Sequence, residues 1–449
     1  MTDMIGIGVS GVRAYQTALS AIANNVSNAD TPGYTRRTVT LEEAKTADSS
    51  QLLYTNHNEF GGVAATGIVR AWDDYKAAAA RDASSASGSA DARATWLANA
   101  ENAMNDDATG VGQSATAFFG AGSSLASDPG NTGGRQALLQ SLDQTAAAFR
   151  TTAGALAKVT EGITAQAQTK VDQVNAALAA LDQVNQALRT QQPGTSSQAQ
   201  LLDQRDAIID SIAANVNVGV SLAGDGSATL RLSDGTALSG GVGMTGGARL
   251  AVVSSGDGRL TIQAIGNGKA TTITAPGGAL GGLAASSALV ADQRAALDRL
   301  AANFAQAVNA WQAAGVDANG AAGQPLLSGN SAASLTLATS DTVAIAAGKA
   351  GGAANANLLD LPSLRGANGV EQGWATMVTR QGQLVSGAKA ESSAASAQKD
   401  ATASSLAAVT GVDLDNEAAQ LLRYQQAYNA SAKVIQASKD TMQSILDLF

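Results

Sequence analysis

Both ends of this chain carry the same apolar rhythm, and that feature restricts its fold more than any other. Near the N-terminus Ile5, Gly8, Val12, Tyr15, Leu19, Ile22 and Val26 follow one another at spacings of three and four, with Gly8 as the gap in the stripe. Near the C-terminus Leu414, Ala418, Leu421, Gln425, Tyr428, Ala432, Ile435, Lys439, Met442, Leu446 and Phe449 repeat the pattern, with Gln425 and Lys439 as its polar members. This is the spacing of a helix that packs along a seam. Each stripe needs a partner for its apolar face, so the two ends are expected to lie together.

Local signals set the limits of these helices. Pro32 and Gly33 close the first one. Asp413 is placed to cap the last one, and Asp415 and Glu417 suit the positive end of its dipole. Between the ends lie Ala-rich helical tracts near 77–104, 134–189, 198–214, 289–313 and 370–409. Around residue 216 the apolar period changes to two. Strand-like segments follow, separated mostly by Asp-Gly or Asn-Gly pairs that favour hairpin turns. One more strand is expected near 335–345.

The expected fold is therefore mainly α: a long helical bundle with paired, coiled-coil-like terminal helices and an inserted small antiparallel β-domain. The expected segments are an N-terminal helix of a terminal domain (1–38), a helical body in two parts (39–215 and 277–410), the β-domain (216–276) and the C-terminal helix (411–449).

Composition narrows the function. The 449 residues are 45% hydrophobic but 4% aromatic, and 48 are glycine. Small side chains suit closely packed helices better than large ligand cavities. A net charge of −9 with no basic stripe gives no footprint for nucleic acid or an anionic membrane surface. No apolar run reaches a membrane span, and the first residues lack the pattern of a cleaved signal peptide. Without cysteine there is no disulfide, thiolate nucleophile or Cys-held zinc. The single histidine, His57, sits in the polar stretch YTNHNEF and reads as a loop residue. Asp317, Asn319 and Gly320 read as an Asx turn rather than a calcium loop. No catalytic, cofactor or metal constellation is legible, and the chain is expected not to be an enzyme.

At this point particular segments become informative. ALSAIANNVSNADTPGYTR (18–36) and GVDLDNEAAQLLRYQQAYNASAKVIQASKDTMQSIL (411–446) resemble the paired terminal signatures of flagellar rod, hook and hook-associated proteins. LLDQRDAIIDSIA, the long stretch beginning ALGGLAASSALVADQR, and FFGAGSSLASDPGNTGGR are similar to the hook-associated branch of that family. The resemblance implies a structural subunit at the junction of hook and filament, outside the cell, exported without a cleaved signal by the flagellar type III apparatus. It also implies a homo-oligomeric ring, with hook protein, a second junction protein and an export chaperone as partners.

The expected subunit-packing residues are Val12, Tyr15, Leu19, Ile22 and Val26 with Leu421, Tyr428, Ile435, Met442, Leu446 and Phe449. The resemblance adds Asn24, Asn25 and Asn28 as hydrogen-bonding groups between neighbouring subunits. Tyr34 is read either as core packing or as an anchor between end and body. Rival readings are another axial protein (hook or distal rod), an Ala-rich coiled-coil signalling protein, and a glycan hydrolase. The signalling reading leaves the Thr-Pro-Gly-Tyr turn unexplained. The hydrolase would need a carboxylate pair that no motif supplies.

Overall fold

The computed structural model describes residues 2–44, 61–239, 247–266 and 268–447. Its α-helices are α1 (Thr2–Ser27), α2 (Asp74–Ala103), α3 (Val111–Ser127), α4 (Thr132–Thr190), α5 (Ser196–Asn215), α6 (Gly278–Ala313), α7 (Val370–Thr410) and α8 (Leu414–Leu446). The strands are β1 (Arg37–Glu43), β2 (Val63–Arg70), β3 (Gly219–Leu222), β4 (Ala228–Arg231), β5 (Arg249–Ser254), β6 (Leu260–Gly266), β7 (Lys269–Ile273), β8 (Leu327–Ser328) and β9 (Thr336–Leu337). Long helices with small antiparallel sheets between them are the fold class the sequence indicates.

Helix limits follow local chemistry. The Asp413 carboxylate accepts from the amides of Asp415 and Asn416, satisfying two donors at the start of α8. Thr195 does the same for Gln198 at the start of α5, directly after Pro193 and Gly194 end α4. Beyond α1, Gly33 takes a φ of 78°, a conformation open chiefly to glycine. Asp317 accepts from the amides of Asn319 and Ala321, which is the expected Asx turn.

Two compact units divide the chain, with boundaries inside α2, α4 and α7 and between β4 and β5. The first comprises Met1–Ser84, Val174–Ala248 and Ala397–Phe449. In it α1 packs against α8, β1 pairs antiparallel with β2, and β3 pairs antiparallel with β4. Asn185 of α4 holds β4 at its first residue with both ends of its carboxamide: its Nδ2 donates to the Ala228 carbonyl at 2.8 Å, and its Oδ1 accepts from the Ala228 amide at 2.8 Å.

The second unit comprises Ser85–Gln173 and Arg249–Ser396. Its core concentrates the few aromatic side chains. Phe304 of α6 meets Phe118 of α3 edge-on at 5.9 Å and stacks on Phe149 of α4 at 6.1 Å. Leu97, Val385 and Ala388 form a further buried cluster. Beside it the buried Gln381 donates to the Leu97 carbonyl and accepts from Gln293, so this polar pair is satisfied. Arg135 secures the irregular stretch after β9 through the carbonyls of Thr342 and Ile345.

Three features depart from the sequence reading. The stretch 216–276 holds two sheets, not one: β3–β4 falls in the first unit and the three-stranded β5–β6–β7 in the second. Alternating apolar residues specify strands, but nothing in that pattern says which strands share a sheet. The hairpin β1–β2 stands inside the segment expected to be helical. The strand expected near 335–345 shrinks to the two residues of β9, followed by a turn of 3-10 helix at Thr342–Ala344.

Candidate assembly interface

The helix pair α1–α8 is antiparallel: Gly8 lies beside Ile435, Gly11 beside Ser431, Tyr15 beside Tyr424, and Asn25 beside Glu417. The buried face of α1 is built from small residues, Gly8, Gly11, Ala14, Ala18 and Ala21, together with Ile22. A Cβ at Gly8 would stand 2.6 Å from Ile435 Cγ1, and one at Gly11 would stand 2.5 Å from Ser431 Oγ. The absence of side chains at these two positions is what lets the helices approach. The seam is thus narrower and rotated from the stripe of large residues. Ile22 is buried, Val12, Tyr15 and Leu19 are half-buried, and Val26 is exposed. On α8, Leu421, Tyr428 and Ile435 are half-buried, while Leu414, Ala418, Gln425 and Ala432 of the expected stripe face solvent. His57 and Phe449 lie outside the described residues.

Toward its C-terminus α8 keeps its apolar residues uncovered. Met442 is 38% exposed and Leu446 64%, and Ile445 on the same helix and Met4 near the start of α1 are exposed as well. Leu422 and Val434, which the stripe did not include, are also exposed.

The opposite end of the pair is polar and closed. Asn25 is fully buried and uses its whole hydrogen-bonding capacity within the chain. Its Nδ2 donates to Glu417 Oε2 at 3.0 Å and to the Arg37 carbonyl at 2.8 Å. Its Oδ1 accepts from the Tyr34 hydroxyl at 2.7 Å and from the Arg37 amide at 2.9 Å. Asn25 therefore joins α1 to α8 and the first hairpin, and has nothing left to offer a neighbouring subunit. Asn24 is exposed and Asn28 half-buried. Tyr34 is the anchor at this joint. Burial raises its phenol above the ordinary tyrosine value, and the nearby Arg37 guanidinium opposes that rise.

Glu417, read from sequence as a helix-dipole residue, is fully buried and pairs with Arg36 Nε at 2.7 Å. The polar system continues into α5. Asp203 takes Arg37 at 2.9 Å and the Thr35 hydroxyl at 2.6 Å. Asp206 takes Arg70 at 2.6 Å, Arg205 at 2.7 Å and Arg81 at 3.3 Å, and Arg81 also reaches Asp210 at 2.7 Å. The guanidinium groups of Arg70 and Arg81 lie over the ring of Trp72. Burial lowers the Arg205 pKa against the pull of Asp206. These residues hold the base of the terminal helices to the helical body. Among the described residues no group of three or more His, Cys, Asp or Glu side chains is placed to hold a metal ion.

Comparison with known proteins accords with this architecture. Residues 5–35 match the family model "Flagella basal body rod protein", and 408–448 match "Flagellar basal body rod FlgEFG protein C-terminal". The ends thus carry the signatures of flagellar axial proteins. Residues 97–327, more than half of the chain, match "Flagellar hook-associated protein FlgK helical domain". The chain belongs to the FlgK family of flagellar hook-associated proteins. It is 29% identical to Flagellar hook-associated protein 1 of Escherichia coli over 72% of this chain and 59% of that protein. It is 28% identical to that of Bacillus subtilis over 50% of this chain and 45% of the relative. The chain thus spans less than two thirds of the length of these curated relatives. A solved structure, the flagellar hook junction protein FlgK from Burkholderia pseudomallei, shares the fold with a TM-score of 0.65 at 16% identity, covering 73% of this chain and 98% of that one.

Proposed function

We propose that the chain is a structural, non-catalytic subunit of the bacterial flagellum that joins hook to filament. In this reading the subunits are exported through the flagellar apparatus and form a homo-oligomeric ring. Hook protein lies on one side and a second junction protein on the other, and an export chaperone serves the free chain.

The observation that carries the reading is the uncovered apolar end of the terminal helix pair, Met4, Met442, Ile445 and Leu446. Apolar side chains grouped at a helix end favour burial against another surface by about 25 cal/mol per Å². Neighbouring subunits in a packed tube supply such a surface. The family's hook-associated members, and the matches at both ends of the chain, support the same location.

The test is microscopy of isolated hook-basal bodies from the bacterium that carries this chain, using an epitope tag. Label is expected at the distal end of the hook, and a deletion strain should make hooks without attached filaments. Filaments that attach normally in the deletion strain would sink the proposal.

A further inference from the structure

Within the second unit, α4 and α6 wall a cleft of about 360 Å³, large enough for a small ligand. Arg150 stands on the α4 wall, and Arg294 and Asp298 stand on the α6 wall. We propose that this cleft binds a small oxyanion, a phosphate or a carboxylate, through its two arginines. The site lies in the helical body and is independent of where the chain sits in the flagellum.

The charges point to an anion. Both arginines are half-buried, and neither forms an ion pair with a described residue. Arg150 spends one N–H on the Leu335 carbonyl at 2.5 Å, and Arg294 spends one on the Asp257 carbonyl at 3.4 Å. The rest of each guanidinium fork is left to other acceptors. The carboxylates near Arg294 are taken elsewhere: Arg259 holds Asp257 at 2.9 Å and Asp292 at 2.6 Å. Asp298, the one carboxylate of the lining, accepts from the Ala332 amide at 2.9 Å. The lining therefore carries two positive charges against one negative. In a chain with a net charge of −9 this surplus is a local exception. Removing a cation from water without a partner is costly, and an oxyanion supplies the missing partner.

The walls leave room for it. On α4, Ala153, Gly154 and Ala157 present small side chains or none, and a Cβ at Gly154 would meet nothing within 4 Å. A guanidinium offers parallel N–H groups that match the oxygens of a carboxylate or phosphate.

The experiment titrates inorganic phosphate, and separately succinate, into the full-length chain by calorimetry at constant ionic strength. At least one is expected to bind saturably, and comparison of the two separates phosphate from carboxylate recognition. Arg294→Gln should weaken that binding roughly tenfold. Arg299→Gln makes the same charge change at an exposed position of α6 outside the lining, and should leave the affinity unchanged. Gly154→Glu builds a carboxylate into the open wall. It should abolish binding while melting no lower than the parent, because an exposed helical glycine is replaced by a better helix former. Absence of saturable binding by both anions overturns the proposal. So does binding that survives Arg294→Gln or Gly154→Glu, or an equal loss in Arg299→Gln.

Discussion

Asn25 in the first helix and Glu417 in the last meet at 3.0 Å in a site closed to solvent, across 392 residues of sequence. The same carboxylate holds Arg36 at 2.7 Å through its other oxygen. This joint fixes the register of the terminal helix pair. Replacing Glu417 by Ala leaves the Arg36 guanidinium and an Asn25 N–H without their partner. The loss expected is about 3 kcal/mol, as for breaking a largely buried ion pair, read as a lower midpoint in urea. An unchanged midpoint would mean that the joint adds nothing to stability.

The close approach at the glycines gives a second expectation. Gly8→Val places branched carbon where Ile435 Cγ1 already lies within 2.6 Å of a Cβ. Overpacking of this kind costs about 1–3 kcal/mol. Limited proteolysis of the variant should release both terminal helices together, while the second unit, which contains neither helix, stays intact. Cleavage at parental rates in α1 and α8 refutes the account.

Asp206 stands between three arginines, with contacts of 2.6, 2.7 and 3.3 Å. Asp206→Asn removes the charge that compensates Arg70, Arg81 and Arg205 in a buried setting. A loss of about 3–5 kcal/mol is expected, measured by chemical denaturation of the first unit's signal. Arg205→Lys should cost less, since it retains the charge while losing the forked geometry. Equal stability of parent and Asp206→Asn is the result that contradicts this.

Assembly and stability should separate at the end of α8. Met442 and Leu446 are exposed, so the Met442→Asp/Leu446→Asp variant should melt within about 0.5 kcal/mol of the parent. It should nevertheless fail to join filaments to hooks, because the new carboxylates would be buried without partners in the assembled tube. Leu421→Asp/Ile435→Asp is expected to impair both properties, since these side chains are half-buried within the chain itself. Normal motility of the Met442/Leu446 variant removes the proposed contact.

Tyr34 gives a pH dependence with a definite sign. Burial raises its folded-state pKa, and the nearby carboxylates of Asp203 and Glu417 add to the rise while Arg37 opposes it. The folded chain then holds the phenolic proton more tightly than the unfolded chain does. The stability this contributes is complete below the free-tyrosine value of 10.0 and is lost as pH rises through the higher folded value. Tyr34→Phe should lack that alkaline loss. Parallel decline of parent and variant above pH 10.0 argues against the assignment.

The terminal helices were legible because a stripe at spacings of three and four survives any change of partner. Which side of the stripe meets the partner was not. Seam position depends on how closely the backbones approach, and that is set by Gly8, Gly11 and the alanines, which carry no apolar weight in a pattern of large residues. Asn25 was singled out as polar and special, but its partners lie in the first hairpin and in α8, beyond any local signal. Glu417 was misread for the same reason: an acid in a first helical turn is ordinarily solvated, and its burial depends on Arg36 and Asn25 arriving from the far end of the chain. The run LLDQRD carried an available cue, since acids and an arginine on one helix next to apolar positions need compensating charges, which Arg37, Arg70 and Arg81 supply.

The first unit is assembled from the opening, middle and closing stretches of the polypeptide. Its joint cannot close until residue 417 is present to meet Asn25, so most of the polypeptide must be available before that contact can form. Closing so large a loop is entropically costly and kinetically late. The closing helix thereby acts as the key that completes the first, and a chain truncated before α8 should leave its opening helix without a seat.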